Sequence, residues 1–155
     1  MSNHHRVLAL CMFAMCIACT ASEQPQTDDG DAILSAEQPD ETRVEAVIAA
    51  PMSGDTITGS FTLMLETRNL VLRPAGMAEA GTGHHHLFID RDIVAADTVI
   101  PAERGIVHLG AAQSEYAFED LTSGAHIIVA VLGDYQHRRI ADAKTDTVRV
   151  VVREP

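Results

Sequence analysis

The chain of 155 residues has no cysteine beyond position 19, because its three cysteines are Cys11, Cys16 and Cys19. The rest of the sequence can therefore form no disulfide framework, no thiolate metal site and no cysteine nucleophile. Export to an oxidising compartment explains why free thiols would be avoided. The missing thiolates also argue against a closed structural zinc site.

The sequence also lacks an apolar run long enough for a transmembrane helix near its N-terminus. The run at residues 7–18 falls short of the roughly 20 residues that span a bilayer, but has the size of a secretory signal's apolar segment, ~7–15 residues. It ends in "CIAC", which resembles the bacterial lipobox, with Cys16 where leucine is usual. By that resemblance, residues 1–18 are a lipoprotein signal peptide and Cys19 becomes the lipidated first residue. A plain signal peptide and a buried N-terminal helix are the alternatives.

Basic residues are few, with 11 Lys and Arg against 22 Asp and Glu. Cleavage before Cys19 would remove one basic residue, Arg6, and no acidic one, which changes the net charge from −11 to −12. Such a surface repels phosphate backbones and anionic membranes, so we expect no nucleic-acid partner and attachment to the membrane through the N-terminal lipid. Thr20 and Ala21 after the cysteine, with no Asp next, resemble an outer-membrane sorting signal. We therefore expect an exported protein, anchored in the cell envelope at the outer membrane and facing the periplasm.

Residues 19–42 contain no Lys or Arg and are rich in Asp, Glu, Gln, Ser and Pro. Such a segment cannot bury enough apolar surface to offset its ordering entropy, so the sequence predicts a disordered acidic linker. As a flexible coil it would reach about 25–30 Å from the bilayer.

Residues 43–155 show no helical period over ten or more residues and read as short β-type runs separated by turns. "SFTLMLETRN" and "SEYAFEDL" alternate apolar and polar side chains, whereas "AHIIVAVLGD" is nearly all apolar. These patterns predict one all-β domain, an immunoglobulin-like β-sandwich of seven or eight strands. "EDLTSGAHIIVAV" resembles the corner before a core strand of immunoglobulin-like domains, with His126 in place of the corner tyrosine. The alternative is a structural histidine that is simply hydrogen-bonded.

The triple histidine in "GTGHHHLFID" is the most distinctive feature of the domain. On a strand, His84 and His86 point to one face and His85 to the other, and side chains two apart lie roughly 6.5–7 Å from each other. Two such histidines and a remote third form a common zinc or copper site. His108 and His137 are the candidate remote ligands, and a site requires the imidazole nitrogens to lie within about 4–5 Å of one another, given Zn–N bonds of ~2.0–2.1 Å.

Other residues could support this site or replace its explanation. Asp90 could fix the tautomer of a ligating imidazole, and the methionines at positions 52, 64 and 77 could soften a copper site. Alternatively, the three rings fill the rim of the sandwich and bond to carbonyls and to Asp90 or Asp134, with the methionines as filler. The sequence leaves the direction of His85 open.

Four segments, "GTGHHHLFID", "IPAERGIVHLGAAQSE", "LTSGAHIIVAVLGDYQH" and "DTVRVVV", resemble a bacterial family known only as a domain of unknown function. Its members carry a Gly-His-His-His-Leu-x-Ile-Asp motif and are exported, often as lipoproteins. The resemblance covers most of residues 44–152. It implies matching positions at Gly83, His84, His85, His86, Ile89, Asp90, His108, Gly110, Gln113, Glu115, Gly124, His126, Asp134 and His137. This chain has Ile140 where the family often has a second histidine, and Ser123 where proline is usual.

Three functions compete on these residues. The first is a lipid-anchored, non-catalytic protein that binds copper or zinc through His84, His86 and either His108 or His137. The second is an immunoglobulin-like module that binds an envelope protein or polymer and has purely structural histidines. The third is an enzyme, because the three-histidine pattern resembles the zinc site of carbonic anhydrases, and Asp90 with "SGAH" resembles cupins, although the spacing departs from both. No nucleophile elbow, phosphate loop or zincin motif occurs.

Overall fold

A computed structural model describes residues 42–155, so the predicted signal peptide, lipidation at Cys19 and nearly all of the predicted linker lie outside the described residues. Every regular element within this range is a strand. No helix with the length and apolar character of a membrane span occurs among the described residues. The strands are β1 (Glu45–Ala50), β2 (Thr56–Thr58), β3 (Phe61–Arg68), β4 (Val71–Leu72), β5 (Thr82–Ile89), β6 (Ile106–Leu109), β7 (Glu115–Phe118), β8 (Gly124–Gly133) and β9 (Asp146–Arg153).

The strands form two sheets that pack face to face. The smaller sheet has the order β1-β3-β7, and the larger has the order β2-β9-β8-β5, with β4 and β6 both pairing with β5. β4 runs parallel to the start of β5, and β6 runs antiparallel to its second half. The predicted all-β, immunoglobulin-like sandwich is confirmed.

Alternation of side chains explains the smaller sheet. In β3, Leu63 and Leu65 are buried while Thr62 and Met64 are exposed, and in β7 Phe118 is buried. Phe61 stacks on Phe118 across the β3–β7 pair, with ring centroids 4.8 Å apart. This period of two puts one apolar face on the core between the sheets.

β5 and the second half of β8 are buried on both faces, which the nearly continuous apolar sequence of β8 implies and the histidine-rich sequence of β5 does not. One face joins the main core through Leu87, Ile128 and Ala130. On the other face, Phe88 and Val131 pack against Ile100, from the segment between β5 and β6. The larger sheet is therefore covered on its outer side by the segment around Ile100 where β5 meets the end of β8, and His84 and His86 lie on this covered face.

The described residues form nine strands, more than the seven or eight expected, and local patterning errs at two places. β2 lies within the turn-rich "MSGDTITG" and pairs in parallel with β9. "TVIP" forms no strand, and Val99 makes only an isolated bridge to Arg138. Both features depend on distant partners.

Candidate metal centre

The three consecutive histidines of β5 are all buried, but their side chains lie on opposite faces of the strand. His85 points into the core between the sheets, where its Nε2 lies 2.8 Å from the hydroxyl oxygen of Thr67 on β3. This answers the question that the sequence left open. His85 is a core residue and lies on the opposite side of β5 from His84 and His86.

His84 and His86 lie on the outer face of β5 with their rings side by side. Their Nε2 atoms are 3.0 Å apart, so one neutral imidazole donates and the other accepts. His84 is 0% and His86 2% exposed, and the Nδ1 atoms of both have no hydrogen-bond partner among the described residues. Buried polar atoms rarely lack a hydrogen-bond partner, so the unpaired Nδ1 atoms of His84 and His86 are unusual for a β-domain.

Two remote segments bring further imidazoles to the same place. His108 on β6 is directly opposite His86 in the antiparallel register, so the two side chains share a face. His137 comes from the connection between β8 and β9, and its Nε2 lies 3.2 Å from that of His108. The structure thus brings together all four histidines named as ligand candidates.

The nitrogen positions suit a transition-metal ion. His84, His108 and His137 each offer one ligand atom, and these atoms all lie within 4.8 Å of one another. His86 adjoins this set through its contact with His84 and stacks on His108, with ring centroids 5.0 Å apart. In a tetrahedral site with Zn–N bonds of ~2.0–2.1 Å, ligand nitrogens are about 3.3 Å apart, close to the two observed separations. A set of neutral imidazoles without thiolate fits both zinc and copper.

Burial and crowding keep these rings neutral. Burial, with the charges that His108 and His137 would carry, lowers the pKa of His84 to about 4. The same causes, with His84 the first of its neighbours, lower the pKa of His86 to about 3. Burial and His137 also lower the pKa of His108. The imidazoles of His84, His86 and His108 are therefore neutral at neutral pH, the form that binds metal.

A tight turn after β8 presents His137. The Asp134 Oδ1 atom accepts hydrogen bonds from the backbone amides of Gln136 and Arg138, at 2.8 and 2.9 Å. His137 has a left-handed backbone (φ 62°), an uncommon conformation for a non-glycine residue, and its carbonyl accepts the Ile100 amide. Asp134 therefore supports the site by shaping the loop that carries a ligand candidate.

Two glycines leave room for the rings. A Cβ added at Gly110 would overlap the imidazole of His108, and one added at Gly133 would lie 2.9 Å from the Nε2 of His86. Gly110 follows His108 by two residues and so lies on the same face, which means that the sequence alone could have indicated this close approach. Gly133 is the register partner of His84, which requires knowledge of the β5–β8 pairing.

A cavity of about 450 Å³ opens beside the cluster. His86, His108 and His137 form its polar side, and Glu103 also borders it. The remaining wall is apolar and consists of Val99, Ile100, Pro101, Ala102 and Ile106. Sequence patterning did not identify these wall residues, because the segment between β5 and β6 has no regular period.

Asp90 contacts a different histidine from the one expected. Its Oδ2 lies 2.6 Å from the Nδ1 of His126, and its Oδ1 accepts the amide of Ile127 at 2.8 Å. The second ring nitrogen of His126 is 2.7 Å from the carbonyl oxygen of Thr122, a contact that agrees both with the corner resemblance and with a hydrogen-bonded structural histidine. Burial acts to lower the pKa of His126, but the Asp90 carboxylate and the Thr122 carbonyl outweigh it and raise that pKa. Asp90 and His126 therefore form a clamp between β5 and β8, separate from the four-histidine cluster.

The remaining candidates lie at the surface. Glu115 is exposed at the start of β7, in the smaller sheet. Met52, Met64 and Met77 are 67%, 43% and 51% exposed.

Comparisons with known proteins identify the family. No curated protein matches the chain. Fibronectin(III)-like modules of Clostridium thermocellum CbhA are similar at 14% identity over 70% of this chain and 97% of theirs, with a TM-score of 0.42. The PKD domain of human KIAA0319 is similar at 13% identity over 77% of this chain and 91% of that domain, with a TM-score of 0.37. A family model matches residues 63–153, more than half of the chain, so the protein belongs to the family described as Domain of unknown function (DUF4399).

Proposed function

We propose that this protein binds a copper or zinc ion through its histidine cluster. The supporting observation is the convergence of imidazoles from β5, β6 and the β8–β9 connection, whose ligand atoms all lie within 4.8 Å of one another. His84, His108 and His137 are the three ligands with mutually close nitrogens, and His86 is the fourth candidate. All four lie within the part matched by the family model, so we also propose that the triple-histidine motif marks this site across the family.

We further propose that the protein acts in the cell envelope of a bacterium, exported and held at the outer membrane by lipid on Cys19. The support is the "CIAC" sequence after a short apolar run, together with a net charge of −11 that disfavours electrostatic attachment to anionic lipid. In this setting the domain would capture a metal ion from the periplasm. Asp90 has no part in fixing the ligand tautomers, since it contacts His126.

The test of metal binding is a titration of the purified, metal-stripped protein with Zn²⁺ and Cu²⁺, followed by elemental analysis of the bound metal. We expect one ion per chain. The double variant His84→Ala/His86→Ala should weaken binding by at least about 100-fold, since each ligand of a three- or four-ligand zinc site carries several kcal/mol.

The matched control is His126→Gln, which also removes a histidine but at the Asp90 clamp, outside the cluster. It should bind metal as the unchanged protein does. Equal uptake by the double variant and the unchanged protein would reject the metal site.

An interaction module is the second candidate. A groove of about 970 Å³ runs along the outer face of β8 and β9, where Ile127 and Val151 are 43% and 39% exposed. Substituting Ile127→Lys would disturb a partner that binds this groove, while leaving the histidine cluster unchanged. A cellular defect caused by Ile127→Lys but absent from the double histidine variant would favour this function over metal binding.

A further inference from the structure

We propose that the cavity beside the histidine cluster binds a short aliphatic carboxylate, whose head group completes the coordination of the metal ion. This inference rests on the proposed metal binding and names the class of ligand that the same site takes. Three features support it: the size of the cavity, its apolar wall, and the charge balance around the imidazoles.

The cavity has the character of a small-molecule site. Its volume of about 450 Å³ falls within the range of roughly 300–1,000 Å³ that is usual for ligand pockets. Such pockets combine apolar walls with a few convergent polar groups. Here the polar groups are three imidazoles and the carboxylate of Glu103, and five apolar side chains complete the lining, so a ligand would have one polar end and one apolar end.

The charge balance selects an anionic head group. Zinc or Cu²⁺ bound by neutral imidazoles alone keeps both positive charges, at a place where the buried His84 meets the exposed His108 and the half-buried His137. A partly buried charge without a partner is costly, so an anionic ligand at the open position is favoured.

The two carboxylates that border the site are both engaged. Glu103 bonds to the Arg91 guanidinium at 2.7 Å, and the Asp134 Oδ1 atom holds two backbone amides of its own turn. The anion is therefore expected to come from a bound molecule.

The wall selects an aliphatic tail. The side chains of Val99, Ile100 and Ile106 are hydrocarbon. They offer no hydrogen-bond donor to the outer oxygens of a bound phosphate or sulfate. A carboxylate with an alkyl chain matches both sides, since the chain displaces water from the wall while the head group reaches the histidine side. Each buried methylene should tighten binding about fourfold, the factor equivalent to about 0.8 kcal/mol.

The experiment uses the full chain loaded with Co²⁺, which replaces Zn²⁺ and reports its ligands through visible absorption bands. Acetate, butanoate and hexanoate are titrated in turn, with hexan-1-ol as a probe that has the tail but no anionic head. We expect all three carboxylates to shift the bands, with hexanoate binding on the order of 100-fold more tightly than acetate because of its four additional methylenes. Hexan-1-ol should produce no comparable shift.

Two matched variants test the position of the tail. Val99→Asp places a negative charge on an exposed part of the cavity wall, where Val99 is 49% exposed. It should weaken hexanoate at least tenfold in titrations at saturating Co²⁺, and it should not lower Co²⁺ affinity, because the added carboxylate attracts the cation. Val151→Asp makes the same change on the outer face of β9, away from this cavity, and should alter neither affinity.

The outcomes separate the two proposals. If Co²⁺ binds but no carboxylate shifts the bands, or if hexanoate binds no better than acetate, the carboxylate site is rejected and metal binding stands. An equal effect of Val99→Asp and Val151→Asp on hexanoate would also reject it. If the chain takes up no Co²⁺, both the metal site and the carboxylate site are wrong.

Discussion

At the scale of single residues, β5 keeps three adjacent imidazoles neutral by burying them. The pKa of His84 and that of His85 are each lowered to about 4, and the pKa of His86 is lowered to about 3. Unfolding returns all three to the ordinary pKa of 6.5. Above pH 6.5 they are neutral in both states, whereas below it the unfolded chain takes up protons that the folded chain refuses.

Acid should therefore destabilise the metal-free protein steeply. Each of these histidines lowers the free energy of unfolding by about 1.4 kcal/mol per pH unit between 6.5 and its folded pKa, so three together give about 4 kcal/mol per unit. His126 acts in the opposite sense: its raised pKa contributes stability below pH 6.5 that is lost as pH rises through its folded value. Urea unfolding at pH 7.5, 6.0 and 5.0 measures the slope, and a free energy independent of pH would contradict the burial of these rings.

His85 offers a control for that slope, since it lies outside the metal cluster. The double variant His85→Leu/Thr67→Val removes both partners of one buried hydrogen bond, which can be nearly neutral for stability at pH 7.5. It should reduce the acid slope by about one third, because one of three protons no longer contributes. Metal affinity should remain unchanged.

Gly110 controls the position of a ligand without being one. A methyl group at this position would overlap the imidazole of His108, and this ring, at the end of an exposed side chain, is what must move. Gly110→Ala should therefore weaken metal binding about tenfold, within the range seen when residues that orient ligands are changed. The metal affinity of His108→Ala, which removes this ligand candidate completely, is the lowest that Gly110→Ala should reach. Unchanged metal affinity in Gly110→Ala would show that His108 does not bind where its ring now lies.

At the scale of the elements, the sequence predicts best where alternation decides. The pattern of Leu63 and Leu65 against Thr62 and Met64 correctly assigns the two faces of β3. In β5, alternation also places His85 on the opposite face from His84 and His86. It does not predict which of the two faces meets the other sheet, because both faces are buried. That choice depends on Thr67 and on the cover around Ile100, which lie far away in sequence.

Other features could not be predicted from the sequence, for related reasons. The parallel pairing of Thr56–Thr58 with β9 depends on a partner almost a hundred residues away. The apolar wall of the cavity lies in a segment without regular secondary structure, where no period marks buried positions. Asp90 was assigned to the metal site because it shares a face with His84 and His86 in an extended strand. Its left-handed backbone (φ 54°) ends that pattern, and its carboxylate reaches His126.

The turn that carries His137 should be the most sensitive element of the site. Asp134→Ala removes the acceptor of the Gln136 and Arg138 amides, which allows residues 135–138 to fluctuate and His137 to leave its left-handed conformation. We expect faster amide hydrogen exchange in this turn and metal binding about tenfold weaker. Asp134→Asn keeps an oxygen acceptor and loses only the charge, so it should restore most of the affinity. Equal losses in both variants would instead indicate that the negative charge of Asp134, through its attraction for the metal cation, matters more than the turn.

At the scale of the whole molecule, the site and the main core are separate. The cluster lies on the outer face of the larger sheet, whereas Leu63, Leu87 and Ile128 fill the space between the sheets. Metal binding should consequently stabilise the covering loops more than the sandwich itself. This arrangement suits a protein that gains and loses an ion while its fold persists.

The acidity of the whole chain bears on how it would be held at a membrane. With 22 acidic and 11 basic residues its net charge disfavours electrostatic attachment to an anionic bilayer, so the proposed attachment relies on acyl chains, each buried CH₂ contributing about 0.8 kcal/mol. We expect the mature protein, expressed in a bacterial host, to begin at a lipidated Cys19 and to stay in the membrane fraction after a high-salt wash. Cys19→Ala should retain residues 1–18 and carry no lipid by mass spectrometry, whereas the matched variant Cys16→Ala should be cleaved and lipidated normally. A mature chain that lacks lipid and begins at another residue would instead identify a plain signal peptide, and the domain would then act free in the exported compartment.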